Sequence, residues 1–230
     1  MNALRARRSR FWGVAQSLLW LTLVPLLSLV AVWPLLTQSL PSTDDGALHM
    51  LRLAQIERAL RHGVLPLRWA PDMAHGYGYP FFNFYASLSS YVAVLWRLVG
   101  LTIPQAVAAA TVCAYWVSGW GAYLLARDSV AFTKTPRRQE RGGKDGEPGG
   151  SRRLVSRLAG LVAAVGYMYA PYQFIDSAYR GNLAETWALA LLPWVFWTAR
   201  IAVDQPRVTD SREELGDFLK GRSRFLLYRP

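Results

Sequence analysis

The chain has 230 residues, 52% of them hydrophobic and 13% aromatic, with a formal net charge of +11. Its 26 Lys and Arg stand in blocks between apolar runs, not in one stripe interleaved with aromatic or polar readers, which argues against a nucleic-acid partner. A single cysteine, Cys113, excludes a disulfide framework within the chain.

The first segment carries Arg5, Arg7, Arg8 and Arg10 and no acid, and then Trp12 to Leu36 carries no charged side chain at all. Roughly 20 apolar residues suffice for a helix to cross a bilayer core. The run is too long for the apolar part of a secretory signal, and it closes on Val32-Trp33-Pro34-Leu35 with no small-residue cleavage site. An uncleaved span over 12–36 is predicted. Further apolar runs lie at 81–101, 103–126, 158–175 and 184–203. Five crossings starting from a cytoplasmic N-terminus would leave 127–157, with nine Lys and Arg against four acids, on the outside. The positive-inside rule opposes that. Segment 81–101 is the weakest, holding Asn83, Arg97 and three Ser, and it reads as an interfacial or protein-packed helix on the outer face.

Four crossings remain: 12–36 outward, an outer loop 37–102, 103–126 inward, a cytoplasmic linker 127–157, 158–175 outward and 184–203 inward, followed by a cytoplasmic tail 204–230. The expected fold class is all-α, a multi-span transmembrane helical bundle with a helical outer loop. It would sit in the plasma membrane with its N-terminus in the cytoplasm and the lipid bilayer as its first partner. Residues 133–153 are rich in Gly, Pro and charge, and they read as a solvated linker whose charge fixes the topology.

The outer loop opens Ser42-Thr43-Asp44-Asp45-Gly46-Ala47-Leu48-His49 and continues as a helix to about His62-Gly63. Leu53, Ile56 and Leu60 form its apolar stripe, while Arg52, Glu57 and Arg61 are expected to face elsewhere. Gly63 supplies the stop. Ser42 with Asp45 three residues on resembles a capping box, and acids favour helix N-termini in any case. Asp45 and His49 also stand one turn apart on one face. With Asp44 they are candidates to hold a divalent metal ion such as Mg or Mn, or to act as a base. The following stretch, Leu67 to Tyr85, is dominated by aromatics and turn residues. Arg68, Trp69, Tyr77, Tyr79, Asn83 and Tyr85 are either headgroup-level anchors or the wall of a carbohydrate or lipid-phosphate pocket. A second constellation follows Ala170-Pro171-Tyr172, where Asp176, Arg180 and Glu185 precede the last apolar run. A carboxylate at the start of a span is expensive unless paired or functional, and an Arg180–Glu185 or Arg180–Asp176 ion pair would serve the turn equally well.

Taken together these segments resemble the opening of the GT-C superfamily, multi-span glycosyltransferases that use polyprenyl-phosphate-linked sugars. The likeness is carried by Thr43 to His49, Arg68 to Asp72 with Gly76 to Pro80, Asn83 to Tyr85, and Ala170 to Tyr172 with Tyr179 to Glu185. Within that circle the chain is most similar to bacterial membrane proteins labelled 6-pyruvoyl-tetrahydropterin synthase-related, a group akin to the YfhO-like proteins. The resemblance implies that the general base or metal ligand is Asp44 or Asp45. It also matches Arg180 and Glu185 to an Arg followed five residues later by an acid, with Glu in place of the usual Asp. His49, Arg180 and the aromatic set would then bind substrate, a polyprenyl-phosphate sugar. Superfamily members continue through many more spans, so a truncated or fragmentary member is expected, and a non-catalytic membrane module is the other function class. The topology makes a direct prediction. In a Cys113→Ala background, His62→Cys and His75→Cys should label from outside intact cells and Asp145→Cys should not; external labelling at 145 would overturn the four-crossing arrangement.

Overall fold

The computed structural model describes residues 2–37, 43–132 and 150–204. These are helix and loop, with no strand beyond an isolated bridge between Ala70 and Tyr79. The expected capping residue Ser42, residues 133–149 of the linker and the tail after 204 lie outside the described residues. The chain divides into two units, Met1–Val195 and Phe196–Pro230. The second is described over 196–204 alone, where it is helical.

Long helices form over the apolar runs: α1 (Asn2–Thr37), α4 (Ile103–Phe132), α5 (Gly150–Met168) and α7 (Leu183–Asp204). Between α1 and α4 lie α2 (Gly46–Arg61) and α3 (Leu88–Leu98), and α6 (Pro171–Ile175) precedes α7. Among the described residues Leu183–Val203 is the one helix long and apolar enough by itself to cross a membrane. Ser151–Met168 joined to Pro171–Arg180 qualifies as a second only if the two pieces form one span, because they are bent by 44°. The expected run 158–175 is therefore broken near its end. Pro171 has no N–H to continue the ladder, and α6 starts afresh after Ala170. The α4 helix is longer, but Tyr, Trp, Ser and Gly through its middle leave it less apolar.

Contacts between these helices set their directions. Trp187 and Trp194 on α7 donate their indole N–H to the carbonyls of Ala110 and Val117 on α4, at 3.2 and 2.8 Å, so the two helices run parallel. Trp116 of α4 donates to Ser28 of α1 at 3.1 Å, and a Cβ on Gly119 would meet Val24 of α1 and Met168 of α5. A Cβ on Gly160 would meet Tyr123, and Arg152 reaches the carbonyl of Ala131, so α5 runs antiparallel to α4. Helix α4 thus lies at the centre, flanked by α1 and α5 in the opposite sense. One apolar core joins α1, α4 and α5 through Val24, Val32, Val112, Tyr123 and Met168. A second joins α2, α3, α4 and α7 through Leu53, Ile56, Val94, Val107 and Trp187. The outward faces remain apolar as well: Leu26, Val30 and Trp33 on α1, Val162 on α5 and Val195 on α7 are exposed.

The segment 81–101 forms a short 3₁₀ turn, Phe81–Asn83, and the 11-residue α3. At about 1.5 Å per residue α3 is far short of a bilayer core. Ser89, Ser90, Ala93 and Val94 face inward, while Leu95 and Leu98 stay exposed. In α2 the stripe Leu53 and Ile56 is fully buried and Leu60 packs against the same core. Its end follows the expected stop: Gly63 takes φ +73°, its N–H bonds the carbonyl of Leu60 at 3.0 Å, and Val64 N–H bonds that of Ala59 at 2.9 Å. This is the left-handed exit that a glycine makes cheap. Arg52 departs from expectation. It does not face outward but is buried to 7% exposure, because the rings of Phe81 and Tyr85 come over α2 and give its guanidinium an aromatic bed.

The α4–α5 approach yields a test. Any Cβ at Gly160 lies 2.7 Å from the Tyr123 ring and 2.9 Å from its carbonyl oxygen, whereas Gly166 has nothing within 4 Å. Gly160→Val should lower stability by about 1–3 kcal/mol, as overpacking does, while Gly166→Ala should not. Thermal unfolding of both variants in detergent checks this; equal melting temperatures would contradict the close packing.

Candidate functional site

The two sequence constellations meet at one end of the molecule. Main-chain N–H groups of Asp44 and Asp45 bond the carbonyls of Tyr179 and Arg180, at 3.3 and 2.8 Å. One turn into α2, the Nε2 of His49 accepts the N–H of Leu183 at 3.1 Å, a donor at the start of α7 that has no partner within its own helix. The turn that receives α2 is specific. Asp176–Arg180 is a π-type turn closed by Gly181 at φ +65°. A Cβ at Gly181 would lie 2.2 Å from the Thr43 hydroxyl oxygen, so glycine serves both the left-handed backbone and the close approach. That Thr43 hydroxyl is buried with no hydrogen-bond partner among the described residues.

From this junction a polar chain runs outward. Asn182 caps α7: its Oδ1 accepts the Glu185 N–H at 3.3 Å and the Tyr85 hydroxyl at 3.2 Å, and its Nδ2 donates to the Glu185 carboxylate at 3.2 Å. Glu185 also accepts from Arg180 at 2.9 Å and from the Tyr172 hydroxyl. Arg180 bonds Asp176 as well, at 3.0 Å, and Thr186 donates to the same carboxylate at 3.2 Å. Both ion pairs that the sequence left open therefore form together. Asp176, 1% exposed in the turn between α6 and α7, has its carboxyl raised to about 6 by burial, with the Glu185 charge adding to the effect.

Arg52 sits beside this chain. Its guanidinium carbon lies 4.5 Å from the Phe81 ring centroid and 4.0 Å from that of Tyr85, and its nearest polar partner is the His49 ring at 3.4 Å. No carboxylate pairs with it among the described residues. Burial, followed by the Arg52 charge, lowers the His49 pKa to about 4, so the ring is neutral at physiological pH. Burial also raises the Tyr85 phenol.

The remaining expected residues distribute as follows. Asp44 is exposed and Asp45 half-buried at the N-cap of α2, where its side chain makes no capping hydrogen bond. Arg68, Trp69, Tyr77, Tyr79 and Asn83 are exposed on the 67–85 loop, which closes through paired Ala70–Tyr79 main-chain bonds. The aromatic stretch thus splits, with Phe82 and Tyr85 packing inward and Tyr77 and Phe84 in solvent. Trp69 covers Gly78, whose Cβ would fall 2.4 Å from the indole nitrogen. The metal set Asp44, Asp45 and His49 does not assemble as expected. The Nε2 lone pair of His49 already takes the Leu183 N–H, and among the described residues no group of three or more His, Cys, Asp or Glu is arranged for a metal ion. Two participants escaped the sequence reading, Arg52 and Asn182. The second carried a usable signal, Asn182-x-x-Glu185 just before an apolar run. No protein-family model, curated protein or solved structure matches the chain.

The His49 geometry makes stability depend on pH with a definite sign. The folded ring titrates near 4 and an unfolded one near 6.5, so the unfolded chain binds the extra proton between those values. Stability from this group is complete above pH 6.5 and lost as pH falls toward 4, to a limit of about 3 kcal/mol. Melts of the wild type and His49→Gln across that range should converge as pH falls; parallel profiles would show that His49 does not titrate this way.

Proposed function

We propose that the chain is a multi-span membrane protein of GT-C-like character that transfers sugar from a polyprenyl-phosphate donor at the outer membrane face. The membrane placement draws support from the alternating directions of α1, α4 and α5, from the return of α7 parallel to α4, and from apolar side chains on their outward faces. It draws support equally from the sequence, in which the basic blocks flank the apolar runs in the pattern of the positive-inside rule. The outer face of the plasma membrane then holds the junction of α2 with the 176–185 turn.

The observation that carries the enzymatic reading is the composition of the N-terminal face of α2. Asp45, His49 and Arg52 follow one another at helical spacing, with an acid at the mouth and a buried guanidinium lacking any carboxylate at the base. In this reading Asp44 or Asp45 takes the proton of an acceptor hydroxyl, whose oxygen attacks the anomeric carbon. The bond from that carbon to the lipid-phosphate oxygen breaks, and the departing phosphate keeps its electron pair, stabilised by Arg52. Arg180, expected to meet that phosphate, is held by two carboxylates and serves as a positioning residue for Glu185. No step is assigned to Mg or Mn.

The same network favours a second reading, a non-catalytic membrane module. Arg180, Glu185, Asp176, Tyr172 and Asn182 satisfy one another and so fix the turn before α7, and the main-chain bonds of Asp44 and Asp45 with the Leu183–His49 bond then suffice to clasp α2 to it. The two readings separate in one assay. The full chain, reconstituted in vesicles with a radiolabelled polyprenyl-phosphate hexose, should release polyprenyl phosphate. Either Asp44→Asn or Asp45→Asn should slow this by about 100-fold or more with an unchanged melting temperature. Turnover equal in both variants and the wild type, or none in the wild type, would leave the clasp as the function of the junction.

A further inference from the structure

Away from the acidic junction, Arg58 and Arg61 at the opposite end of α2 meet Arg97 of α3, with two acids, Glu57 and Asp72, among them. Glu57 accepts from Arg61 at 2.6 Å and from Arg97 at 2.9 and 3.1 Å, and Arg58 pairs with Asp72 at 2.8 Å. Every guanidinium has a carboxylate partner, but three of them against two carboxylates leave the cluster with a net charge of +1. Arg97, with Arg61 beside it, holds the Glu57 carboxyl below its ordinary value, so the acid stays ionised and still neutralises only one of them. Arg58, Arg61, Arg97 and Glu57 line a cleft of about 400 Å³ together with His62 and Ile103. The side chains of Arg58 and Arg61 are 57% and 72% exposed, leaving N–H donors free to turn toward an anion.

This cleft adjoins an apolar one. Arg97 also donates to the carbonyl of Leu101, and Leu101 with Leu35, Leu36, Val99, Ala108 and Ala109 lines a groove of about 390 Å³ between the end of α1 and the start of α4. Beside the same turn Leu98 and Val99 stand exposed, 77% and 67%, an arrangement that water does not favour and a lipid tail does. A charged pocket and a mostly apolar groove, linked by the hydrogen bond from Arg97 of the first to the Leu101 carbonyl of the second, have the form of a two-part amphiphile.

We propose that these two clefts are one binding site for an anionic phospholipid of the outer leaflet, its phosphate among Arg58, Arg61 and Arg97 and its acyl chain along the α1–α4 groove. The site is separate from the acidic junction, and it rests on the membrane placement argued above but not on glycosyl transfer. Bidentate guanidinium–phosphate bonds supply the affinity for the head, and burial of the groove side chains selects a chain-bearing ligand over free phosphate.

Native mass spectrometry of the full chain, released from micelles containing phosphatidylglycerol or phosphatidylcholine at equal concentration, tests this. Phosphatidylglycerol should be retained several-fold, about 5–10 times, over phosphatidylcholine. Arg58→Ala with Arg61→Ala should abolish the preference, and Ala109→Trp should lower retention of both lipids by filling the groove. Arg152→Ala, at the far end of α5, should retain it. Should the double variant fail to fold, Arg61→Gln alone keeps the Glu57–Arg97 pair and should give a partial loss. Equal retention of the two phospholipids, or a preference untouched by the arginine variants, overturns the proposal. Undecaprenyl phosphate displacing phosphatidylglycerol at equal concentration, in an Arg61-dependent way, overturns the phospholipid as occupant. Carbonate extraction separates the underlying reading: a chain released into the soluble fraction removes the membrane placement itself, whereas a retained chain with no lipid preference removes the site alone.

Discussion

This end of the protein depends on one act of docking, the attachment of the start of α2 to the turn before α7. Main-chain N–H groups at a buried helix start must find acceptors, and here they find them in the carbonyls of Tyr179 and Arg180. The exchange is reciprocal, because the first N–H of α7 is accepted by a ring of α2, His49. The Leu183 N–H also reaches the Gly181 carbonyl at 3.1 Å, so His49 adds a second acceptor that ties the two helix starts together. Gly181 makes the approach possible, since only a residue without Cβ can both turn left-handed and lie against Thr43. Once the clasp closes, Tyr85 is within reach of Asn182, and the 81–85 aromatics are held over Arg52.

That covering creates the molecule's most costly feature. A buried guanidinium facing aromatic rings recovers about 2 kcal/mol from cation–π attraction, less than the several kcal/mol that desolvation of a lone charge removes. Arg180 shows the contrast: it is partly exposed and bridged to two carboxylates, so its charge is already answered. A clasp alone would be more stable with an apolar residue in the place of Arg52.

Several elements were legible because their causes are local. The apolar runs became helices, α3 proved too short to span, and Gly63 stopped α2 through the exit its sequence position announced. The buried stripe Leu53 and Ile56 followed from helical spacing alone. What failed had remote causes. Arg52 is charged and lies off the apolar stripe of α2, so it reads as outward-facing, and only residues some thirty positions later turn that side into an interior. The division of the aromatic stretch into inward and outward rings depends likewise on what Tyr85 meets across the fold. The break at Pro171 is different: the residue was in view, but a continuous apolar run hid its consequence.

The charge of the junction follows from helix direction. Both α2 and α7 point their N-termini into it, each equivalent to roughly half a positive charge. Four carboxylates gather there, Asp44, Asp45, Asp176 and Glu185, against two guanidiniums, Arg52 and Arg180. Adding the two helix ends leaves the region about one negative charge in excess. Such an excess falls on the group least able to keep its charge in solution. Asp44 is exposed and Glu185 has three donors, whereas Asp176 is almost fully enclosed with Glu185 beside it. Its carboxyl is accordingly the one raised to about 6, while His49, which meets a helix N-terminus on one side and Arg52 on the other, is driven neutral. Proton uptake at this end of the molecule is therefore set by how two helices converge, and Asp176 is where it is expressed.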